Sequence, residues 1–560
     1  MRGASAPVQM QRDLTKFTQN VFDVVVVGGG IHGAFIAWDA ALRGLSVALL
    51  EKGDFGGATS ANSLKTVHGG LRYLQDADPG LVRMMIRERR NWLRIAPHLV
   101  HPLPILMPTY PGLMKSKAVM ALAVKLNDLI GFDRNAGIDD PGKAIPPGRV
   151  VSREECLKLL PGVAQDGISG GVIWYDAQIY NTERATLSVV LSAEQRGAAV
   201  ANYLEADRLI QEGGRVAGVE AVDRLSGDRL AVRSRVVVNS AGPWVDQVLS
   251  SAQARLARKF RHSVAMNLVT RKFIQEYAAG VLTMPVNAAG ERVLPGKGRV
   301  LFISPWREYS LVGTYHTYTE GEPDDFKLNE ADIQTFIDEA NSAYPGAELR
   351  REEVCFIHRG FLPAAEDGQP GQEVKLIRAG QISDHRQDGI EGLITAVGVK
   401  FTSSRQVAQR AVDQVFRLLG ARPPECETDR TPIYGGEIER FEDYLREQKG
   451  RGPAGLSQKD IEALVRNYGT AYPQVRDLIA EESSGRFRAL KAETLHAVRN
   501  EMAVRLSDVI LRRTELGSAG PPDSASVAYC AGVMAEVLGW DEARQEAEIQ
   551  AVVSHYLEVT

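Results

Sequence analysis

A chain of 560 residues is longer than the roughly 250–300 residues at which one hydrophobic core stops growing, so at least two domains are expected. The apolar share of 44% and charged share of 24% are those of globular proteins and exclude a disordered or fibrous chain. A net charge of −4 gives no footprint for nucleic acid, and four scattered cysteines without a CxxC pair suggest neither a disulfide framework nor a zinc site. That cysteine usage predicts a reducing, cytoplasmic compartment.

Residues 1–20 contain no apolar run of signal-peptide length. The first expected element is a buried parallel strand over 22–27, FDVVVV. The turn Gly28-x-Gly30-x-x-Gly33 follows, opening a helix that ends at Gly44. A second strand over 46–50 ends at Glu51, completing a β-α-β unit. Residues 114–130 hold apolar positions interleaved with Lys115, Lys117 and Lys125, too short and too charged to span a bilayer. The spacing instead predicts an amphipathic helix, either lying at a membrane interface or packed on its own domain. Runs over 235–239 and 392–397 read as further strands leading into glycine, and 299–304 and 309–314 as strands of an antiparallel sheet. After Pro423, Pro424 and Pro432 the pattern becomes helical. One helix is expected over 493–516, where Leu495, Val498, Met502, Leu506 and Val509 recur at three- and four-residue steps.

A lone glycine triplet is weak evidence, but this one follows a strand, opens a helix and is matched by Glu51 at the end of the next strand. Such a turn brings a pyrophosphate against helix N–H groups, and the acid accepts hydrogen bonds from ribose hydroxyls while repelling a 2′-phosphate. The polar loop over 53–74, GDFGGATSANSLKTVHGGLRYL, then favours FAD over NAD, because it is long enough to wrap the pyrophosphate and reach a second ring system.

These residues carry a resemblance. The run from the glycine turn through His68-Gly69-Gly70-Leu71-Arg72-Tyr73, the block Asn239-Ser240-Ala241-Gly242-Pro243-Trp244, and Val399-Lys400-Phe401-Thr402-Ser403-Ser404-Arg405 resemble the FAD-dependent, quinone-linked glycerol-3-phosphate dehydrogenases. So do Met502-Ala503-Val504-Arg505-Leu506-Ser507-Asp508-Val509 and Leu538-Gly539-Trp540-Asp541 in the helical tail. The resemblance implies an α/β Rossmann-like FAD-binding domain over 20–254, completed by 375–425. It also implies an antiparallel-sheet substrate domain of the glycine-oxidase type over 255–374 and a C-terminal α-helical domain over 436–560. It implies FAD held by Gly28, Gly30, Ile31, Gly33, Glu51, Lys52 and Gly242, by Thr59, Ser60, Ser63 and Lys65 of the loop, and by Lys400, Phe401 and Thr402 at the flavin.

The implied reaction is oxidation of a secondary alcohol, with hydride passing to the flavin and electrons on to a quinone; oxygen or a soluble carrier is the alternative acceptor. His68, Arg72, Tyr73, Arg378 and Lys400 would border the substrate, with His68 either a base or a structural residue. A peripheral place on the cytoplasmic membrane and a homodimer are further expectations. The substrate side departs from the family. Asn267 stands where a histidine is usual, Leu362 where an arginine grips phosphate, and Gly313-Thr314-Tyr315-His316 replaces a Gly-Thr-Thr-Asp block. Arg359 and His316 are the candidates to compensate. The alternatives are therefore the same chemistry retuned to another hydroxylated or amine substrate, or a flavin-binding protein without turnover.

Overall fold

The computed structural model describes residues 9–111, 116–252, 261–283, 300–319, 322–324, 328–364, 376–377, 379–480 and 487–557. Seventeen strands are present among them: β1 (Val21–Val27), β2 (Val47–Leu50), β3 (Thr66–Val67), β4 (Val100–Thr109), β5 (Arg149–Val151), β6 (Gly170–Ile179), β7 (Ala199–Ala201), β8 (Leu204–Glu212) and β9 (Arg215–Asp223). They continue with β10 (Arg229–Asn239), β11 (Arg261–Arg271), β12 (Ala278–Leu282), β13 (Val300–Trp306), β14 (Tyr309–Thr319), β15 (Val354–Ala364), β16 (Gln381–Asp384) and β17 (Leu393–Val397).

The first sheet runs β16-β17-β10-β1-β2-β7, with β9 on β10 and β8 on β9. Its centre is parallel: β1 pairs with β10 and β2, and β10 with β17. The valines of β1 and β10 explain this. Val24, Val25, Val26, Val236, Val237 and Val238 are buried on both faces, as a parallel sheet covered by helices requires. The helices Ile31–Leu42 and Thr182–Gln195 pack together on one face, and Ser404–Leu418 joins the first of them there.

The second sheet runs β15-β11-β14-β13-β12-β4-β6-β3, with β5 on β6. It is mostly antiparallel, although β12 meets β4 in parallel. It is not confined to 255–374, the span expected for the substrate sheet. β3, β4, β5 and β6 enter it from before residue 180, because β4 and β6 pair with each other over ten positions and then continue through β12. Their apolar residues thus reach a core the sequence pattern does not locate.

The C-terminal region is helical, with helices Phe441–Gly450, Gln458–Tyr468, Arg488–Asn500 and Ser524–Leu538 among its elements. The helix expected over 493–516 breaks after Asn500. Met502 adopts φ +55, and the Glu501 side chain is turned to the buried guanidinium of Arg184. Asp508 then accepts from the backbone N–H of Val504 and Arg505 at 2.9 Å each, starting a new turn. Polar pairing across the domain junction overrides the apolar period.

His98 lies at this junction against the backbone of Gly435 and Gly469. Both ring nitrogens are buried without a hydrogen-bond partner among the described residues. Burial, then Lys143 and Arg184, hold its pKa down to about 3, against 6.5 when unfolded. The unfolded chain therefore binds the proton first. Stability is unaffected above pH 6.5 and falls as pH drops toward the folded value, by about 1.4 kcal/mol per unit for one proton. Acid titration of His98→Gln is expected to show a slope shallower by about one proton between about pH 6 and 4. An unchanged slope would contradict the assignment.

Candidate active site

A cavity of about 860 Å³ is lined by residues of both sheets and of the loop after β2. At one end β1 runs into Gly28, at φ +101. A Cβ there would sit 2.5 Å from the Ser240 carbonyl oxygen, so only glycine fits. Gly33 does not line the cavity; it lets the helix settle on the turn, since a Cβ at 33 would lie 1.8 Å from the Gly28 oxygen. Glu51 accepts from the Gly29 N–H at 2.6 Å and the Gly53 N–H at 2.8 Å. Burial pushes its pKa up and those two bonds oppose the rise. Each carboxylate oxygen keeps a second lone pair for another donor. Lys52 lies 3.6 Å over the Trp244 ring, beside Asp324, and Gly242 lines the same wall.

The loop over 53–65 closes one side. Ser60 Oγ accepts from the Ile31 N–H at 2.9 Å, capping the helix start beside Gly30. Thr59 Oγ1 bonds both the N–H and the carbonyl of Phe361 at 3.1 Å, stitching the loop to β15. Ser63 Oγ accepts from the Lys65 N–H at 3.2 Å. The Lys65 ammonium is directed inward, 3.0 Å from Glu183 and 2.8 Å from Thr182 Oγ1. Its charge is neutralised there and holds the loop, so it adds no net charge to the cavity.

At the other end, the His68 N–H donates to Thr402 Oγ1 at 3.1 Å. Asp176 holds the neighbouring Gly69 N–H and the Arg89 guanidinium, the latter at 2.9 Å. The loop so fixed presents His68, Arg72 and Tyr73 to the cavity opposite Lys400. The Tyr73 ring has Arg72 Cζ and Lys400 Nζ each 5.0 Å from its centroid. Burial, then Lys400, Arg72 and Arg89, hold the His68 pKa down to about 3, so His68 is neutral near pH 7. Burial also lowers Lys400, opposed by a hydrogen bond to Tyr73. Phe401 and Thr402 line the wall just before the helix Ser404–Leu418, whose start is anchored by Arg405 on Glu88 at 2.6 Å.

The substrate-side positions divide. Asn267 is 2% exposed and accepts from Thr314 Oγ1 at 2.9 Å. Leu362 and His316 line the cavity, with His316 Nδ1 3.5 Å from Ser263 Oγ. Arg359 is not among the residues that line it, although Gly360, Phe361, Leu362 and Pro363 are. Arg378 lies outside the described residues.

Two contributors escaped the sequence reading. His32 lines the cavity next to Gly398, with Nε2 buried and unpartnered among the described residues. Nothing in its sequence context separates it from a core histidine. Met120 and Ala123, on the helix Lys117–Ile130, line the cavity through the inward face of an amphipathic segment. The donor set fits a dinucleotide flavin: a turn without side chains, an acid with spare lone pairs, an orphaned imidazole nitrogen, and a cation at the far end.

The sequence model of FAD-dependent oxidoreductases matches residues 23–413, and that of the C-terminal domain of alpha-glycerophosphate oxidase matches 426–545. A glycerol-3-phosphate dehydrogenase from Synechocystis is 31% identical, covering 96% of this chain and 97% of that protein. An aerobic glycerol-3-phosphate dehydrogenase from Staphylococcus haemolyticus is 30% identical, covering 88% and 86%. The crystal structure of glycerol-3-phosphate dehydrogenase from Bacillus halodurans complexed with FAD is 24% identical and shares the fold, with a TM-score of 0.76 over 98% of this chain and 96% of that one.

Proposed function

This chain belongs to the glycerol-3-phosphate dehydrogenase family of FAD-dependent oxidoreductases, enzymes acting on CH–OH groups, and from that premise we propose that it oxidises sn-glycerol 3-phosphate to dihydroxyacetone phosphate and passes the electrons to a quinone. The observation that carries this reading is the cluster of Arg72, Lys400, His68 and Tyr73 at one end of the cavity, two cations beside a neutral imidazole.

When bound, FAD supplies the hydride acceptor. Gly28, Gly30 and Ile31 would hold its pyrophosphate and Glu51 its ribose, beside the loop whose Ser60 caps the helix start. Arg72 and Lys400 hold the substrate anion. His68 accepts the hydroxyl hydrogen bond. Its low proton affinity comes partly from those two cations, so a phosphate that pairs with them raises it and makes the imidazole a better base when the substrate is in place.

Quinone access is supported by the helix Lys117–Ile130. Its inner face lines the cavity, while Leu122, Leu126, Leu129 and the following Phe132 are 42–78% exposed, flanked by Lys117 and Lys125. No described helix is long and apolar enough to cross a membrane. Leu122→Glu with Leu129→Glu is expected to lower binding to anionic vesicles and quinone turnover by about 10²-fold, at ~1.5 kcal/mol per leucine. Anaerobic flavin reduction by substrate should stay unchanged; a matching loss there would remove the helix from acceptor docking.

A second reading, a substrate with less negative charge, is favoured by Leu362 on the cavity wall and by Asn267, which cannot act as a base. Anaerobic titration separates the two. Bleaching of the yellow protein by low glycerol 3-phosphate supports the first, and bleaching only by unphosphorylated polyols, hydroxy acids or amines supports the second. Under the first reading with a weakened anchor, Leu362→Arg lowers the Michaelis constant for glycerol 3-phosphate, because a guanidinium binds a dianion bidentately.

A further inference from the structure

We propose that the C-terminal helical region is a clamp on the cofactor: Arg512 and Arg513 grip Asp54, and through Asp54 they hold the loop that closes the dinucleotide turn. The inference rests on FAD being held by the Gly28–Gly33 turn.

Asp54 stands three residues after Glu51, and its side chain is 0% exposed. Arg513 bonds it with both terminal nitrogens, Nη1 to Oδ2 at 2.6 Å and Nη2 to Oδ1 at 2.9 Å. Arg512 Nε reaches Oδ2 at 2.5 Å, and Asn202 Nδ2 reaches Oδ1 at 3.0 Å. The partners are separated by 458 and 459 residues. Consecutive arginines reach one carboxylate because they sit in the π-helical turn Val509–Arg513, wider than an α-helical turn.

Both sides of this contact lead onward through rigid groups. On the loop side, the Gly57 N–H donates to the Asp54 carbonyl at 3.1 Å, and the Gly56 N–H to the Gly29 carbonyl at 3.0 Å. Gly29 belongs to the phosphate turn itself, and its own N–H is held by Glu51. Ser60 then caps the helix start at Ile31. On the C-terminal side, Arg513 Nη2 also donates to the Glu501 carbonyl at 2.9 Å, and Arg512 Nη2 to Asp508 at 2.9 Å. Tyr203 OH donates to the same Asp508 oxygen at 2.5 Å. Asp54 and Asp508 face the two guanidiniums in a largely buried cluster, with the Glu501 carboxylate 4.0 Å from Arg513. Loss of Asp54 removes the carboxylate that both guanidiniums share and leaves buried positive charge underpaired, which cannot persist without rearrangement. The loop and the helical turn are thus one unit, and binding at one end biases the other reciprocally.

The test uses full-length protein purified with FAD. Asp54→Asn and Arg513→Gln are expected to raise the FAD dissociation constant at least tenfold, read from released flavin fluorescence. Arg466→Gln is the control, since it breaks a contact of the same helical region with His101, away from the loop. It should lower the thermal midpoint while leaving the FAD dissociation constant within twofold. In wild type, FAD binding should slow amide exchange across 505–514 more than across the helix Ser524–Leu538. This readout decides the matter if Asp54→Asn does not fold. Wild-type FAD affinity in both clamp variants, equal loss in Arg466→Gln, or FAD-independent exchange at 505–514 would each overturn the clamp. Glu51→Arg separates the premise: if it retains full flavin, the turn is not the FAD site. If it loses flavin while Asp54→Asn retains it, only the clamp fails.

Discussion

Lys400→Met is expected to slow substrate-dependent flavin reduction by about 10²–10³-fold with FAD still bound, measured by anaerobic stopped-flow absorbance. Lys400 stands between the end of β17 and the helix Ser404–Leu418, 5.0 Å over the Tyr73 ring. In so enclosed a place a fixed positive charge stabilises developing negative charge far more than it does in water. Methionine keeps the apolar reach of the side chain and removes the charge. The same change should alter the pH profile. Lys400 is the largest charge-based cause of the low His68 pKa, after burial. Its removal raises that pKa, and the acidic limb of the reduction rate moves to higher pH. A wild-type rate with a wild-type pH profile would remove Lys400 from the reacting centre.

Gly33→Val is expected to abolish recovery of soluble yellow protein. The nearest obstacle to a side chain is backbone, the Gly28 carbonyl oxygen 1.8 Å from the added Cβ. Gly28 has little room to yield, because its φ is +101 and the Ser240 carbonyl oxygen lies 2.5 Å from where its own Cβ would be. The helix Ile31–Leu42 cannot yield either, being buried along most of its length. Overpacking of flexible side chains costs about 1–3 kcal/mol; here the clash is between main chains and the cost is higher. Flavin absorbance per protein and the thermal midpoint measure it, and normal values for both would show that helix and turn are free to separate.

The unit from β1 through Glu51 was legible because every part of it is local: a β-branched run, glycines at steric limits, and an acid at a strand end. His68 to Tyr73 and Lys400 to Thr402 were legible through the family resemblance, and the cavity brings them together. Other features were not legible. The pattern over 493–516 reads as one helix, yet Glu501 turns to Arg184 and Met502 takes a positive φ. Arg359 has the chemistry of a phosphate ligand, but β15 turns its neighbours Gly360 to Pro363 to the cavity instead. Lys65 sits in the loop after β2, expected to hold cofactor, but Glu183, distant in sequence, takes its charge.

Steric limits at single residues, the two- and 3.6-residue periods of strand and helix, and short chemical motifs act over a few positions, so they specify the dinucleotide turn and the element types directly. Proton affinity, ion pairing and cavity shape depend on what packs against a group from far along the chain. His68 is neutral because burial and three cations surround it, and Asp54 is a clamp point because two arginines more than 450 residues away reach it. Desolvation and Coulomb energy fall steeply with distance and exposure, so they are set only when the fold brings those groups together.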